Sequence, residues 1–234
     1  MNTLTQTDLQ YVLSHVPKDV RTLMQQRSPV FFLAGGFIRA IIAGEKVSDV
    51  DVFGATAESL ETAAMCMALA RNGSLHRTKN AFTVLAPPRM PVQFITRWLY
   101  DDPQKLVESF DFTVARACIW FEGDNWKSCC DPLFYPDLAA RRLTYCSPDR
   151  DEDSGGSLLR MRKFLGRGYT IQVASLAGLV ARTVKGIDIP RAEQSAGGID
   201  KVILGRLYEV DPLRVIDGME IAEEHEHNPS EDDQ

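Results

Sequence analysis

Residues 30–53 constrain this chain more than any other stretch. Val30-Phe31-Phe32-Leu33-Ala34 is a short apolar run that stops at Gly35-Gly36, the pattern of a buried strand entering a tight turn. Residues 37–43 have helical character and are closed by Gly44. Ser48-Asp49-Val50-Asp51-Val52-Phe53 then alternates polar and apolar residues with period two, as a half-buried strand does. Strand, glycine turn, short helix and second strand in such close succession call for a sheet with helices packed against it.

The flanking sequence extends that plan. Residues 4–27 place Leu4, Leu9, Val12, Leu13, Val16, Val20, Leu23 and Met24 at mostly helical spacing, and Pro17 divides them into two short helices. Residues 57–70, rich in Ala, Leu and Met, read as a helix stopped by Asn72-Gly73. Two strands, 81–85 and 92–96, join across Pro87-Pro88. Residues 103–110 read as a helix, and 113–121 as a strand passing through Asn125 into 127–130. Residues 149–156 are acidic and Gly-rich without an apolar side chain, the pattern of a linker. Residues 158–184 are apolar and basic with helical character. The order predicts an α+β fold: a mixed sheet with flanking helices over residues 1–148, then a small helical domain over 157–217.

Charge and composition narrow the partners. The last eighteen residues hold eight acids and no Lys or Arg, whereas the whole chain carries a net charge of −6. Without them 26 basic residues face 24 acidic ones, so the body sits near +2. Such a body can meet a phosphate-bearing substrate locally, but it lacks the strongly basic face of a dedicated nucleic-acid binder. Residues 218–234 are expected to form a disordered, solubilising tail. His225 and His227 alternate with acids there without rigid ligand geometry for a metal. The five cysteines (Cys66, Cys118, Cys129, Cys130 and Cys146) have no CxxC spacing and fit a reduced, cytoplasmic compartment. No apolar run approaches the ~20 residues that span a bilayer. The opening MNTLTQTDLQ is neither basic nor apolar enough for a secretory signal. No heptad repeat speaks to an oligomeric state.

The residues that carry chemistry are Gly35-Gly36, Arg39 and Ser48-Asp49-Val50-Asp51. Two glycines remove side chains where a backbone must approach a triphosphate, and their amides can donate to its oxygens. Arg39 is placed to reach a phosphate or to brace the acidic strand. Asp49 and Asp51, two apart on a strand, emerge on one face and can hold divalent cations, Mg²⁺ or Mn²⁺. Taken singly, a Gly-Gly pair is a turn and an Asp-x-Asp strand a solvated face. Two neighbouring carboxylates also repel, and a structural ion pair with Arg39 would relieve them as a cation would. In this order, with an arginine between, they point to phosphate chemistry.

The stretch LAGGFIRAIIAGEKVSDVDVFG resembles the opening motif of the class II CCA-adding enzymes and bacterial poly(A) polymerases, within the polymerase-β-type nucleotidyltransferases. Three later stretches are similar to the same family in the same order. Asp111-Phe112-Thr113-Val114-Ala115-Arg116-Ala117 resembles its Arg-Arg-Asp-Phe-Thr-Ile-Asn-Ala motif, and Asp131-Pro132 with Asp137-Leu138 and Arg142-Leu143 its Asp-Pro…Asp-Leu…Arg turn. Leu159-Arg160-Met161-Arg162-Lys163-Phe164, followed by Gly168-Tyr169, resembles its Leu-Arg-x-x-Arg-Phe helix.

The resemblance implies a polymerase-β-type fold and transfer of a nucleoside monophosphate from a nucleoside triphosphate such as ATP. The acceptor would be an RNA 3′ end, tRNA-like, or a hydroxyl on a small molecule or protein. It implies that Asp49 and Asp51 bind the metal, and that Gly35, Gly36 and Ser48 hold the triphosphate with Arg39 and Arg116 nearby. Asp111 would contact the sugar, and Arg160 and Lys163 would flank the base and phosphates. On the residues alone, Asp111 is equally a helix cap, and Arg160 and Lys163 equally the wet side of an amphipathic helix.

The sequence departs from the family at several points. Ala40 stands where the first motif ends in Asp, Ser109-Phe110 where the arginines precede Asp111, and Arg116 where Asn is usual. Gln93 stands where a third carboxylate is sought, and Gln cannot balance a second cation as a carboxylate would. No Glu-Asp-x-x-Arg segment follows Phe164, and the sequence continues only briefly, so a full CCA-adding enzyme is not expected. Three classes of function follow: a compact template-independent nucleotidyltransferase, a weakened member that binds a nucleotide or RNA as a regulatory module, or a domain that keeps only the fold.

Overall fold

The computed structural model describes residues 1–26, 28, 30–146, 154–194, 197–210, 215–216 and 219–220. The chain divides into two units, Met1–Ala140 and Arg141–Gln234.

The first unit opens with helices α1 (Gln6–His15) and α2 (Lys18–Met24), with Pro17 between them. Thr5 caps α1 by accepting from the Asp8 amide at 3.1 Å. Strand β1 (Phe31–Ala34) leads through Gly35 into α3 (Gly36–Ala43), which Gly44 ends in the left-handed conformation. Then come β2 (Val50–Gly54), α4 (Ala57–Arg71), β3 (Ser74–Arg77), β4 (Ala81–Leu85), β5 (Val92–Ile95) and α5 (Pro103–Glu108). A single 3₁₀ turn (Thr113–Ala115), β6 (Ala117–Glu122), β7 (Asn125–Cys130) and α6 (Phe134–Ala139) complete the unit.

The strands form one sheet in the order β3-β4-β5-β2-β1-β6-β7. The β2–β5 pair is parallel and its other neighbours are antiparallel, so the sheet is mixed. Alternation along the strands divides the core into two layers. One holds Phe31, Leu33, Val50, Val52, Val92 and Phe94, all nearly inaccessible. On that face α4 packs Leu60 so tightly that a Cβ on Gly54 would lie 3.3 Å from its Cδ2. The other layer joins Phe32, Ala34, Phe53, Cys118 and Cys129 to Leu106 and Val107 of α5, and Asp51 and Gln93 lie on that face.

The fold is α+β, a mixed sheet with flanking helices followed by a helical part. Several local expectations shift. The expected strand over 113–121 starts as a 3₁₀ turn, and β6 begins only at Ala117. Strand β3 and helix α6 were not expected. Ser74-Leu75-His76-Arg77 is a mostly exposed edge strand with little apolar signal. Helix α6 is a short element inside a motif that reads as a turn.

The second unit contains β8 (Arg142–Leu143), α7 (Ser154–Gly166), β9 (Thr170–Ile171), α8 (Val173–Val184), α9 (Ile189–Glu193) and α10 (Gly198–Val210). A two-stranded pair, β10 (Val215–Ile216) and β11 (Met219–Glu220), follows. Phe164 and Tyr169 pack their rings with centroids 5.4 Å apart. Arg206 donates from Nη1 to the Thr183 and Lys185 carbonyls at 2.7 and 3.0 Å, satisfying the C-terminal end of α8. Of the expected linker, residues 149–153 lie outside the described residues, and Gly155 and Gly156 are helical in α7. Of the expected acidic tail, Met219 and Glu220 are described as strand, and the rest lies outside the described residues. Among the described residues no helix is long and apolar enough to cross a membrane.

Candidate active site

Gly35 and Gly36 stand at the junction of β1 and α3, with different demands on the backbone. Gly35 has φ 82° and ψ −135°, open to glycine but not to an L side chain, and its amide donates to the Ala117 carbonyl at 3.3 Å. A Cβ there would lie 3.3 Å from Phe110 Cε1 and 3.9 Å from Asp51 Oδ2. The turn is therefore held against both the acidic strand and an aromatic ring. Gly36 is the first residue of α3, has no positive φ, and a Cβ there would meet only Arg39 Nη2, at 3.9 Å. The amides of Gly36, Phe37 and Ile38 have no partner within their own helix, and no side chain caps them. Such a helix start favours an anion.

The carboxylates come next. Asp51 lies within β2, whereas Asp49 comes just before it, so the regular strand starts two residues later than expected and ends one later, at Gly54. Ser48 Oγ donates to Asp49 Oδ1 at 2.9 Å, and Gln93 Nε2 donates to Asp49 Oδ2 at 2.8 Å. The parallel register sets Gln93 directly opposite Asp51. The third side chain against the acidic pair is thus a neutral amide.

Arg39 is buried beside Glu45, with Nε 3.2 Å from Oε2 and both side chains less than a tenth exposed. Gly44 reverses the chain so that Glu45 returns against α3, its amide bonding the Ala40 carbonyl at 2.8 Å. That buried pair, absent from the sequence reading, ties α3 to the residue that follows its glycine stop.

The Arg116 guanidinium, expected near the nucleotide, is engaged within the protein. Its Nε donates to the Phe110 carbonyl and its Nη2 to the Glu108 carbonyl, both at 2.8 Å, while Nη1 meets Asp131 Oδ2 at 3.2 Å. These contacts use the guanidinium to close the loop between α5 and β6, the loop that carries Phe110 and Asp111. Asp111 is itself buried, 3% exposed. Thr113 Oγ1 donates to Asp137 Oδ2 at 2.5 Å, tying the 3₁₀ turn to α6.

Phe110 is the site residue that sequence reasoning passed over. Its ring borders Gly35 and meets Phe53 edge-on, centroids 5.9 Å apart. The one signal for it was its position before Asp111, where an arginine is usual. Gly35, Gly36, Ser48, Asp49, Asp51, Gln93 and Phe110 are therefore brought together. Arg160 and Lys163 belong to the second unit, one turn apart on α7 and half-buried. A separate cavity of about 760 Å³ lies between α2 and α4, lined by Leu23, Met67 and Met90, and holds neither carboxylate of the pair.

Comparisons with known proteins bear on the fold. A family model described as Gabija anti-defense 2 family protein matches residues 3–141, nearly the whole first unit. No curated protein matches the chain. The Thermotoga maritima CCA-adding enzyme complexed with tRNA superposes with a TM-score of 0.57 at 18% identity, over 89% of this chain and 51% of that one. A CCA-adding enzyme with CTP gives 0.57 at 14% identity, again over 89% and 51%. A CCA-adding enzyme with ATP gives 0.55 at 17% identity over the same shares. The chain spans about half the length of these structures, and at such identities the likeness is one of fold.

Proposed function

The chain belongs to the Gabija anti-defense 2 family, and we propose that it is a template-independent nucleotidyltransferase that moves a nucleoside monophosphate from a nucleoside triphosphate to an acceptor hydroxyl. The observation that carries this reading is the placement of Asp51 Oδ2 against the Gly35 turn, with Asp49 held beside it by Ser48 and Gln93. Carboxylates and an open helix start converge there, which is the requirement for bringing a cation and a triphosphate together.

The chain's own residues divide the work. The amides that open α3 receive phosphate oxygens, and Gly35 keeps the backbone free of a side chain where they approach. Ser48 and Gln93 orient Asp49, while the Arg39–Glu45 pair fixes the helix that presents the amides. Asp49 and Asp51 are the residues to hold a divalent cation, Mg²⁺ or Mn²⁺, whose chemistry there is neutralisation of phosphate charge. Asp111 is assigned to the sugar of the incoming nucleotide and Phe110 to its border. An RNA 3′ end, as on the tRNA of the solved complex, is the first acceptor to test. A component of the defence named in the family description is the next acceptor to test.

The test is transfer of label from each α-labelled ribonucleotide, with Mg²⁺ or Mn²⁺, to RNA and protein acceptors. Labelled acceptor is expected, with Asp49→Ala and Asp51→Ala each reducing the rate by roughly three orders of magnitude. Both variants should stay folded, because removing one of two close carboxylates relieves repulsion. Unchanged rates in both would place the metal site elsewhere. The neutral Gln93 favours a second reading, a module that binds nucleotide or RNA without transferring it. Thermal stabilisation by nucleotide with no label incorporated would favour that reading.

A further inference from the structure

We infer that the cavity between α2 and α4 is a binding site for a small amphipathic anion, an acyl or other apolar body with one carboxylate or phosphate head. The cavity holds neither carboxylate of the acidic pair, and the inference does not depend on the nucleotidyltransferase reading.

The sequence of α4 leaves this space open and apolar. From Thr62 to Ala70 the helix carries no charged side chain. Ala63 and Ala70 present only methyl groups where they line the cavity, so α4 does not fill the room beside α2. Leu23 of α2, Met67 of α4 and Met90 of the loop before β5 supply more of the apolar wall. Methionine side chains are flexible and polarizable, and they fit themselves to an apolar guest. The volume, about 760 Å³, is that of a cleft which encloses a small ligand, roughly 300–1,000 Å³.

Charge sets the class of the guest. Three cations, Lys18, Arg71 and Arg89, line the cavity against a single carboxylate, Asp19. That carboxylate is already engaged. Arg71 donates to it from Nε and Nη2 at 2.7 and 3.0 Å, and the Val20 amide donates to Oδ1 at 2.9 Å. Arg89 reaches Asp19 Oδ2 only at 4.0 Å with its side chain 57% exposed, and Lys18, which precedes Asp19, is exposed as well. Three cations less one carboxylate leave a surplus of two positive charges, gathered around Asp19. Arg71 and Ala63 stand eight residues apart on α4, so the neutral end lies ~12 Å from the charged one. A charged end and a hydrocarbon end match a head and a tail. The head pairs with Arg89 and Lys18, whose N–H groups suit carboxylate or phosphate oxygens, and a medium-length chain covers Met67 and Ala63. Cations collected at one end favour a single head group over the spaced acids of a partner helix.

Cys66 lines the cavity and is exposed, so its alkylation by iodoacetamide reports occupancy in the full chain. Cys146, in the second unit, is the internal control. Octanoate, kept below micelle formation, is expected to slow Cys66 labelling several-fold and to leave Cys146 unchanged. Half-maximal protection should need about tenfold more 1-octanol, which has the same chain length and no charge. Arg89→Glu and Lys18→Gln alter exposed side chains, so their thermal melts should match wild type while each loses most of the preference for octanoate. If Arg89→Glu does not fold, Lys18→Gln carries the comparison. Equal protection by octanoate and octanol would overturn the anionic head. Octanoate protection undiminished in both variants would place its site elsewhere, and no protection of Cys66 would remove this class of ligand altogether. Cys66 labelling that slows as protein concentration rises, with no octanoate present, would assign the cavity to a second copy of the chain and overturn the inference.

Discussion

Gly35 and Gly36 are consecutive glycines, and substitution should separate their roles. At Gly35 an alanine meets a forbidden φ and presses on Phe110, so Gly35→Ala should cost on the order of 1 kcal/mol or more in a urea melt. At Gly36 the backbone is ordinary helix and a methyl group has room. Gly36→Ala should therefore melt within about 1 °C of wild type, or slightly above, because alanine also suits a helix better. The functional cost then appears alone: a methyl beside the first amides of α3 should abolish the rise in melting temperature that nucleotide and Mg²⁺ produce. Equal ligand-induced rises in wild type and Gly36→Ala would leave Gly36 as a plain helix start. Arg116 is a different kind of residue. Because its nitrogens close the loop carrying Phe110 and Asp111, Arg116→Ala should lower stability by about 1–3 kcal/mol, and added nucleotide should not restore it. An Arg116→Ala protein as stable as wild type but weak for nucleotide would return Arg116 to the ligand.

At the scale of elements, the position of the acidic strand depends on a contact remote in sequence. Arg71, at the end of α4 and 1% exposed, donates from Nε and Nη2 to Asp19 of α2 at 2.7 and 3.0 Å. Its Nη1 donates to the Met90 carbonyl at 2.8 Å. The next carbonyl, of Pro91, accepts the Val50 amide at 3.1 Å. One guanidinium thus ties two helices to the loop that sets β5 beside β2, and so sets Gln93 beside Asp49. The hydrogen bonds from Arg71 hold the Asp19 carboxyl below the usual carboxylate range. A carboxyl whose folded pKa is depressed contributes stability above its unfolded value, about 4, and loses it as pH falls through the folded one. Arg71→Met should therefore cost roughly 1–3 kcal/mol near neutrality, moderated because water reaches Asp19. That difference from wild type should hold between about pH 7 and pH 5 and shrink below about pH 4. A difference that widened in acid would contradict the assignment.

For the whole molecule, the cysteines report on the integrity of the sheet. Cys118 and Cys130 are inaccessible on β6 and β7; burial pushes the Cys130 thiol up to about 11 and raises Cys118 as well. Cys66 is exposed on α4. Iodoacetamide at about pH 8 should label Cys66 readily and reach Cys118 and Cys130 only as fast as the first unit opens, since the thiolate is the reacting species. Rapid native labelling of Cys130 would mean that the β7 edge opens independently of the rest of the sheet.

Much of this was written in the local sequence. Val30-Phe31-Phe32-Leu33-Ala34 had to be buried, Gly35-Gly36 had to turn, and the Asp49-Val50-Asp51 alternation had to place two carboxylates on one side. Each follows from the properties of neighbouring residues. The α+β order, the short opening helices divided by Pro17 and the left-handed stop at Gly44 are local in the same sense. What only the tertiary structure decided are the partners: Glu45 for Arg39, Asp131 and two backbone carbonyls for Arg116, Phe110 for Gly35, and Gln93 for Asp49. Sequence spacing does not encode which strand will be a neighbour. The crossover that makes β2 and β5 parallel partners brings Gln93 across 44 positions to a carboxylate. Charge pairing obeys the same limit, because a guanidinium finds its carboxylate or carbonyl only after the sheet has set the distances. The residue types were therefore legible, and which of them pair with one another was settled by packing.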